Sequence, residues 1–515
     1  MSRKTKSGII ILGVAIICCA ITIAFFYAQI NLKKKSMKAD LFTLVPRDSK
    51  AILETNNINM LFESLDLSSF RKQYEALNFS ELLTFLSNKV DDRAEQKGHG
   101  LSVPMSNVLI SFHAPGDPKD QVLYGHLGNG DLDLIDNIFK ELNTTGYPPK
   151  EVEYKGKKLK IYPLSNHSFI TCYFQTNCYA ISFQKKLIEK VVDTILEKDG
   201  IKRDSAFAQV YKNHKNDNGV RLYAYTAPLA EWTQYDMRIQ NNSIYLNGFC
   251  SPGENANKKS FVMPLIHGAK KDLITADALP DNTLTFYQVG IQDIHLLVRS
   301  FAKTDSIPYR QPMPGDEAGE AFYQFVDNFT QGELRSIEFL GRRTPETNRV
   351  LELPIKFPRT QVVREWNKLA KETWKSAYKQ NKRYRLYSLP NNYLLKHLLR
   401  DNKEDGKTVS ALLTENYLLL SREDDDLRDY MNKRTYTPAT QELWKTYLSD
   451  LASKANFTFY SDMNEVNKHA KYFENVLPPF FFKHIDFFRQ FFITVQFIET
   501  DEAMNATIIL DHKPV

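Results

Sequence analysis

The hydrophobic and polar residues of this chain follow one plan twice. In each copy, an apolar residue and a proline (Pro46 or Pro280) precede an Asp turn and a short run of β-forming residues, after which a helix begins at Ile58 or Ile291. Strands alternate apolar and polar residues, whereas helices repeat their apolar positions every three or four residues. The pattern therefore predicts a strand followed by a helix at the start of each copy.

Hairpins and capped helices continue the plan in both copies. Residues 107–127 have two β-rich runs around a Pro/Gly/Asp turn, and the second copy has an equivalent stretch. Further along, Asn177 corresponds to Asn416, and Ser182 corresponds to Ser421 at the same spacing. This spacing predicts a tight turn, a strand and then a serine that opens a helix. Each copy closes with a hairpin of equal length.

Hairpins interleaved with helices indicate an α+β fold with a mainly antiparallel sheet. The repeated order of elements indicates a duplication. The predicted fold class is an N-terminal transmembrane helix followed by two tandem copies of a sheet-and-helix unit. Its parts are a short tail (1–7), a transmembrane signal anchor (8–30), a basic linker (31–40) and the two copies (41–270 and 271–515).

The predicted anchor is an uncharged stretch from Gly8 to Ile30. At 1.5 Å per residue, a helix of this length spans a hydrocarbon core of about 30 Å. The stretch is too long for the apolar core of an ordinary cleaved signal peptide. We therefore expect membrane attachment through these residues, as a single-pass protein of the inner (plasma) membrane with its C-terminal bulk in the periplasm.

The charge of the chain is concentrated near the predicted anchor. Of 67 basic and 61 acidic residues, seven and one lie in residues 1–40, which leaves 60 of each in residues 41–515. Nucleic-acid binding proteins carry an excess of basic residues that neutralises phosphates. The neutral body therefore predicts no nucleic-acid partner.

The cysteines and histidines do not form a recognisable motif. Cys172 and Cys178 flank a predicted turn and could pair across it, and His113 and His126 lie on opposite arms of one predicted hairpin. The chain has no Cys-x-x-Cys pair and no His-Glu-x-x-His motif. We predict no catalytic residue, no cofactor and no metal site.

Three short motifs invite a catalytic interpretation. The Gly-Lys-Thr that begins at Gly406 lacks the earlier glycine of a phosphate-binding loop. Ser69 and Lys72 have the spacing of a Ser/Lys nucleophile but no partner motif. Asp131 and Asp133 could form the metal–nucleotide pair of a glycosyltransferase, although carboxylates at a helix start also favour the helix dipole.

Eight of the 21 residues from 477 to 497 are phenylalanine. One interpretation is a helix and a strand in the core, because Phe487, Phe488, Phe491 and Phe492 recur at helical spacing. The other is an apolar surface for a lipid or a protein partner. The residues of that candidate surface are Phe480, Phe481, Phe482, Phe487, Phe488, Phe491 and Phe492.

Three features of the sequence form a set: the openings at Pro46 and Pro280, the Tyr-Leu-Asn-Gly-Phe run that begins at Tyr245, and the passage from Phe261 into the second opening. In these features the chain resembles a family of uncharacterised membrane-anchored proteins of Bacteroidota-type bacteria, classed as a domain of unknown function. The resemblance implies an exported domain on an inner-membrane anchor. It implies no activity and no catalytic residues.

Three functional hypotheses follow. The first is a non-enzymatic single-pass membrane protein whose tandem copies bind a protein partner as a scaffold in the cell envelope. The second is a membrane-tethered binder or carrier of a lipid or another apolar ligand at the Phe-rich segment. The third is a type II membrane enzyme such as a glycosyltransferase, which would depend on Asp133.

Overall fold

The computed structural model describes residues 40–70, residue 82 and residues 107–513, with interruptions of which the longest are 251–267 and 299–316. By their contacts the described residues fall into two compact units. The first unit is drawn from residues 1–62, 79–205 and 216–220. The second is drawn from residues 63–78, 206–215 and 221–515.

The first unit is a sheet of seven antiparallel strands with helices. Its strands are β1 (Ala51–Thr55), β2 (Val108–Phe112), β3 (Gln121–His126), β4 (Lys150–Tyr154), β5 (Lys157–Pro163), β6 (Phe169–Phe174) and β7 (Cys178–Ser182). Its helices are α1 (Ile58–Asp66, whose last residues belong to the second unit), α2 (Asp131–Leu142) and α3 (Lys185–Glu197), with short 3-10 helices at Leu41–Leu44 and Ile201–Arg203. The strands pair in the order β1-β2-β3-β7-β6-β5-β4.

The second unit has more strands and more helices. Its strands are β8 (Val220–Thr226), β9 (Ala230–Gln240), β10 (Ser243–Cys250), β11 (Lys271–Asp272), β12 (Thr283–Gly290), β13 (Glu333–Leu340), β14 (Thr347–Pro354), β15 (Trp374–Lys379), β16 (Lys382–Pro390), β17 (Thr408–Leu413), β18 (Tyr417–Ser421), β19 (Lys454–Ala455), β20 (Phe457–Asp462), β21 (Phe491–Glu499) and β22 (Met504–His512). Its helices are α4 (Ser205–Tyr211), α5 (Glu317–Phe329), α6 (Arg359–Leu369), α7 (Asp424–Met431), α8 (Pro438–Leu448), α9 (Met463–Lys468), α10 (Ala470–Phe473), α11 (Pro479–Lys483) and α12 (Ile485–Phe488).

Twelve strands of the second unit form one antiparallel sheet, in the order β9-β10-β22-β21-β20-β12-β13-β14-β18-β17-β16-β15. Its segment from β12 to β15 repeats the order of the first unit. Gly248 of β10 lies against the carbonyl of Gln234 in β9, and any side chain at this position would collide with that backbone.

Helices cover both faces of this sheet. Successive residues of a strand point to opposite faces, so Val350 packs with α7 and α8 while Leu351 packs with α5 and α6. The α7–α8 side includes Trp444, and the α5–α6 side includes the fully buried Trp366. A third apolar cluster lies between the sheet and α9–α12.

The two openings are built with the same hydrogen bonds. In the first unit, the Ser49 amide and hydroxyl donate to Pro46 O over 3.2 and 2.7 Å. In the second unit, the Thr283 amide and hydroxyl donate to Pro280 O over 3.2 and 2.7 Å. The proline fixes the backbone before the turn, and the hydroxyl satisfies the carbonyl that the turn exposes.

The predicted transmembrane helix, and with it the signal anchor and the single-pass inner-membrane location, is wrong for the part of the chain that the structure describes. No helix there is long and apolar enough to cross a membrane. The longest helices among the described residues, α3 and α5, have 13 residues, whereas a membrane span needs about 20. Residues 8–30 themselves lie outside the described residues.

Candidate functional site

The Phe-rich segment is built mainly into the core of the second unit. Phe487, Phe488, Phe491 and Phe492 are 4%, 7%, 0% and 6% exposed. Residue 480 falls in α11, but its side chain lies outside the described residues. The four buried rings are therefore not available to a ligand at the surface.

The last two of these rings point to opposite faces of the sheet. Phe491 begins β21 and packs 5.4 Å from the ring of Phe70, in the cluster beneath α9–α12. Phe492 packs 4.4 Å from the ring of Tyr447, in the cluster beneath α7 and α8. Phe481 and Phe482 are half-buried against the first of these clusters. An apolar surface here would consist of these two half-buried rings.

Four side chains of the first unit form a chain of hydrogen bonds from the surface into the core. Asp48 Oδ1 lies 3.3 Å from His113 Nδ1, and His113 Nε2 lies 3.0 Å from Ser111 Oγ. Ser111 Oγ in turn lies 3.1 Å from the Tyr124 hydroxyl. The hydrogen bond from His113 and the ammonium of Lys190 hold the pKa of the Asp48 carboxyl well below its ordinary value.

The order Asp–His–Ser is that of a hydrolytic triad, but the serine is inaccessible. Ser111 and Tyr124 both have 0% exposure, and burial raises the pKa of the Tyr124 hydroxyl well above its ordinary value. A nucleophile must contact its substrate. This series of hydrogen bonds therefore connects the Asp48 turn to the β2–β3 hairpin, and its buried serine cannot attack a substrate.

A shallow depression that is largely open to solvent lies at the turn between β9 and β10, lined by residues 239–243. The Ser69 amide donates to Asn241 O over 2.6 Å, and the His512 amide donates to Asn242 O over 2.7 Å. These bonds bring the Ser69 hydroxyl within 2.8 Å of His512 Nδ1. The turn thus places an exposed hydroxyl beside an imidazole.

The arrangement around this imidazole differs from that of a hydrolase. Burial lowers the pKa of His512, and its Nε2 has no hydrogen-bond partner among the described atoms. In serine hydrolases a carboxylate accepts a hydrogen bond from the imidazole nitrogen that does not face the serine. The adjacent Asp511 lies on the other face of β22, where it accepts a 2.6 Å hydrogen bond from Ser243. The Ser69–His512 hydrogen bond therefore has a structural role: it holds the residues that follow α1 against the sheet.

The two units each end their sheet on an equivalent hairpin, which we call the edge hairpins: β4–β5 and β15–β16. Among the strands that the structure describes, β4 pairs only with β5, and β15 pairs only with β16. Edge strands leave one row of backbone N–H and C=O groups for another chain. The side chains of Lys150, Glu151 and Glu153 on β4 are exposed, as is Lys375 on β15.

Charged contacts hold the edge hairpins to their own units. In the first unit, Lys155 Nζ at the turn of the hairpin lies 2.7 Å from Asp193 of α3, whereas Lys158 Nζ of β5 lies 3.5 Å from Glu151 of β4 and so joins the two strands of the hairpin to each other. In the second unit, Lys375 Nζ donates to Asp424 Oδ2 over 2.7 Å. These pairs are largely exposed, so solvent screens them and each contributes little to stability. They fix the position of the hairpins but leave the outer backbone N–H and C=O groups of β4 and β15 accessible.

His113 and His126, which the sequence places on opposite arms of one predicted hairpin, lie at opposite ends of that hairpin. The His113 amide donates to Asp120 O at the turn of the β2–β3 hairpin. His126 lies at the other end, level with Cys178 of β7. The missed contact was that of His113 with Asp48. The i, i+2 spacing of Ser111 and His113 could have indicated that these two side chains share a strand face, but no local signal indicates Asp48, which lies 65 residues away in the sequence.

The remaining motifs have structural roles or lie outside the described residues, as Lys72 and Gly406 do. Asp131 Oδ2 accepts a 2.7 Å hydrogen bond from the Gly128 amide, and Asp133 is exposed in the first turn of α2. A carboxylate at this end of a helix satisfies free amides and favours the helix dipole.

The described residues contain no cluster of three or more His, Cys, Asp or Glu that could hold a metal ion. Cys172 and Cys178 are free thiols in the core. Cys172 lies level with Ile181 in the β6–β7 pair, not with the second cysteine. Burial raises the pKa of Cys178 to about 11, so this thiol is protonated at neutral pH.

No protein-family model matches the chain, and no curated protein matches it at a significant level. Two solved structures are similar to part of it, those of TP0453 in crystal forms I and III. They are 10% and 9% identical, cover 45% and 46% of this chain and 88% and 90% of their own, and have TM-scores of 0.27 and 0.26. A TM-score this low does not establish a shared fold.

Proposed function

We propose that the protein is a non-enzymatic interaction protein whose two copies each present a sheet edge to a partner chain. The observation that carries the proposal is the one-sided pairing of β4 and β15 in the described structure. A partner segment can add to such an edge as a further strand, with main-chain hydrogen bonds supplying affinity and side chains supplying specificity.

The polar networks favour binding over catalysis. Ser111 is fully buried, and among the described atoms no carboxylate contacts the free nitrogen of the imidazole beside Ser69, where a catalytic histidine needs one for its orientation. The apolar-ligand hypothesis has less support, because four of its seven phenylalanines lie in the core. The glycosyltransferase hypothesis depended on an aspartate pair of which one member, Asp131, caps its own helix.

Site-specific photo-crosslinking in the cells that make the protein tests the proposal. A benzophenone amino acid is placed at Glu153 in β4 or at Lys375 in β15, both of which are exposed. Leu196 of α3, which is 45% exposed, is the control position. We expect discrete adducts with a partner polypeptide from the edge positions and none from the control.

The partner would be identified from the masses of the crosslinked peptides. Equal labelling at all three positions would indicate random collision. The absence of adducts from both edge strands would contradict the proposal, provided that the variants are folded and present at the level of the unmodified protein.

A further inference from the structure

The regions that contain the two edge hairpins differ in net charge between the copies. Residues 356–390, which contain α6, β15 and β16, carry ten basic and two acidic residues. Residues 128–163, which contain the equivalent α2, β4 and β5, carry six of each. Both regions form the same elements in the same pairing order. The net charge of +8 is therefore not needed to build the fold.

The described basic side chains lie on both sides of the edge. Lys375 lies directly opposite Leu386 in the β15–β16 pair, and Leu386 packs beneath α7 and α8. Arg385 is level with Ser376, and Arg383 Nε donates to the Ser376 hydroxyl over 2.8 Å. Because neighbouring residues of a strand point to opposite faces, Lys375 lies on one face of the sheet and the two arginines lie on the other. All three basic side chains are exposed.

This two-sided distribution distinguishes between anionic partners. A flat anionic surface, such as a membrane or a duplex, would approach one face and meet only part of the charge. The side chains of an added strand alternate between both faces. An extended peptide with acidic residues would therefore meet basic side chains whichever way each residue points.

We infer that β15 binds an acidic peptide segment in extended conformation, as an additional strand of the second unit. The inference rests on the proposed function and adds the chemistry of the partner to it. The main-chain edge of β15 holds the strand. Arg383 and Arg385 select acidic side chains on one face, and on the other face the acidic side chains compete with Asp424 for Lys375. The first unit, whose equivalent region is neutral, does not share this selectivity.

The test is a fluorescence-anisotropy titration of the full chain. The probe is a fluorescein-labelled octapeptide of alternating Glu and Val, and the same design with Lys in place of Glu is the control probe. We expect the acidic peptide to bind, the basic peptide not to bind, and the affinity to fall as NaCl is raised, because exposed charges are screened by salt.

Two double variants locate the site. Arg383→Glu with Arg385→Glu is expected to weaken binding at least tenfold. Lys157→Glu with Lys158→Glu makes the same charge change on the edge hairpin of the first unit and is expected to leave binding within twofold of the unmodified protein. If the charge reversal unfolds the hairpin, as judged by circular dichroism, Arg383→Gln with Arg385→Gln replaces it and is expected to weaken binding at least threefold.

Several results would overturn the inference. They are no binding of the acidic peptide, equal loss in both double variants, or stronger site-dependent binding of phosphatidylglycerol vesicles or single-stranded oligo-dT. If the peptide fails while photo-crosslinks from residue 375 still form, the partner chemistry is wrong and the proposed function stands. If both fail, the proposed function fails too.

Discussion

At the scale of single residues, the second unit contains a buried ion pair in the middle of its sheet. Arg349 donates its Nε to Glu338 over 2.8 Å and its Nη1 to Leu399 O over 2.9 Å. The Thr285 hydroxyl donates to the same carboxylate. Burial works against the charge of Arg349, but the facing carboxylate raises the pKa of this guanidinium above its ordinary value. Both charges are therefore retained in the core.

We expect Glu338→Leu to lower the free energy of unfolding by about 3–5 kcal/mol, because it leaves a buried guanidinium without its counter-ion. Adding Arg349→Met should recover much of that loss, since the pair is then replaced by apolar side chains. Urea denaturation of the full chain measures both. Glu365→Ala breaks a surface pair with Lys368, whose side chain is 65% exposed, and should leave the free energy of unfolding almost unchanged. A loss no larger for Glu338→Leu than for Glu365→Ala would contradict the argument.

A second residue-scale prediction concerns pH. Burial raises the pKa of Asp511 from 3.8 to about 6, the nearby Asp450 adds to the increase, and the hydrogen bond from Ser243 opposes it. The unfolded chain therefore loses this proton at a lower pH than the folded chain. The contribution of Asp511 to stability is complete below about pH 4 and is lost as the pH rises to about 6.

Asp511→Asn removes the charge and can still accept from Ser243. We expect the variant to be more stable than the unmodified protein at pH 7 by about 1–3 kcal/mol and to match it at pH 4. Denaturation curves between pH 4 and 8 measure the difference. Asp425→Asn, at an aspartate whose side chain is 65% exposed, is the control and should give a parallel pH profile. A parallel profile for Asp511→Asn as well would show that the carboxyl titrates normally.

At the scale of elements, local sequence signals were informative where the structure depends on neighbours in the chain. Asn177 and Asn416, which have equivalent spacing in the two copies, each accept a 2.9 Å hydrogen bond through their backbone carbonyl, from the amides of Leu127 and Ile355. A turn between two strands is specified within a few residues. The sequence could therefore place these turns at equivalent points in both copies.

Local signals were less precise where one pattern is compatible with two elements. The interpretation of a helix and a strand in the core agrees with the structure, but the helical spacing of Phe487, Phe488, Phe491 and Phe492 does not mark where the helix ends: α12 ends at Phe488 and β21 begins at Phe491. A short apolar run is compatible with either element, and packing decides between them. The Asp48–His113 contact joins residues 65 apart, and no local pattern specifies it. The edge hairpins likewise required the strand order, which the sequence alone did not provide.

At the scale of the molecule, the compact units do not coincide with the sequence copies. The second unit includes β9 and β10, which belong to the first copy. β10 pairs with β22 along its full length, from Ser243 opposite Asp511 to Cys250 opposite Met504. The last strand of the chain is therefore an interior strand of its sheet only because an element of the first copy covers it.

This pairing predicts how fragments will behave. A fragment of residues 271–515, cut at the boundary between the copies, exposes the whole edge of β22, and we expect it to aggregate or to unfold without cooperativity. A fragment of residues 221–515 retains β9 and β10 and should be more soluble and more stable. Gel filtration and thermal denaturation compare the two. Equal monomeric, cooperative behaviour would show that the second copy folds without the added hairpin.

The pairing of β10 with β22 also determines when the sheet can be completed during synthesis. The two strands are separated by about 250 residues of chain, which a ribosome adds in roughly 13–50 s at about 5–20 residues per second. During that interval the β9–β10 hairpin has been translated and its partner has not. The β9–β10 hairpin therefore keeps one unpaired strand edge until β22 emerges from the ribosome, and over that interval this edge is open to pairing with another chain.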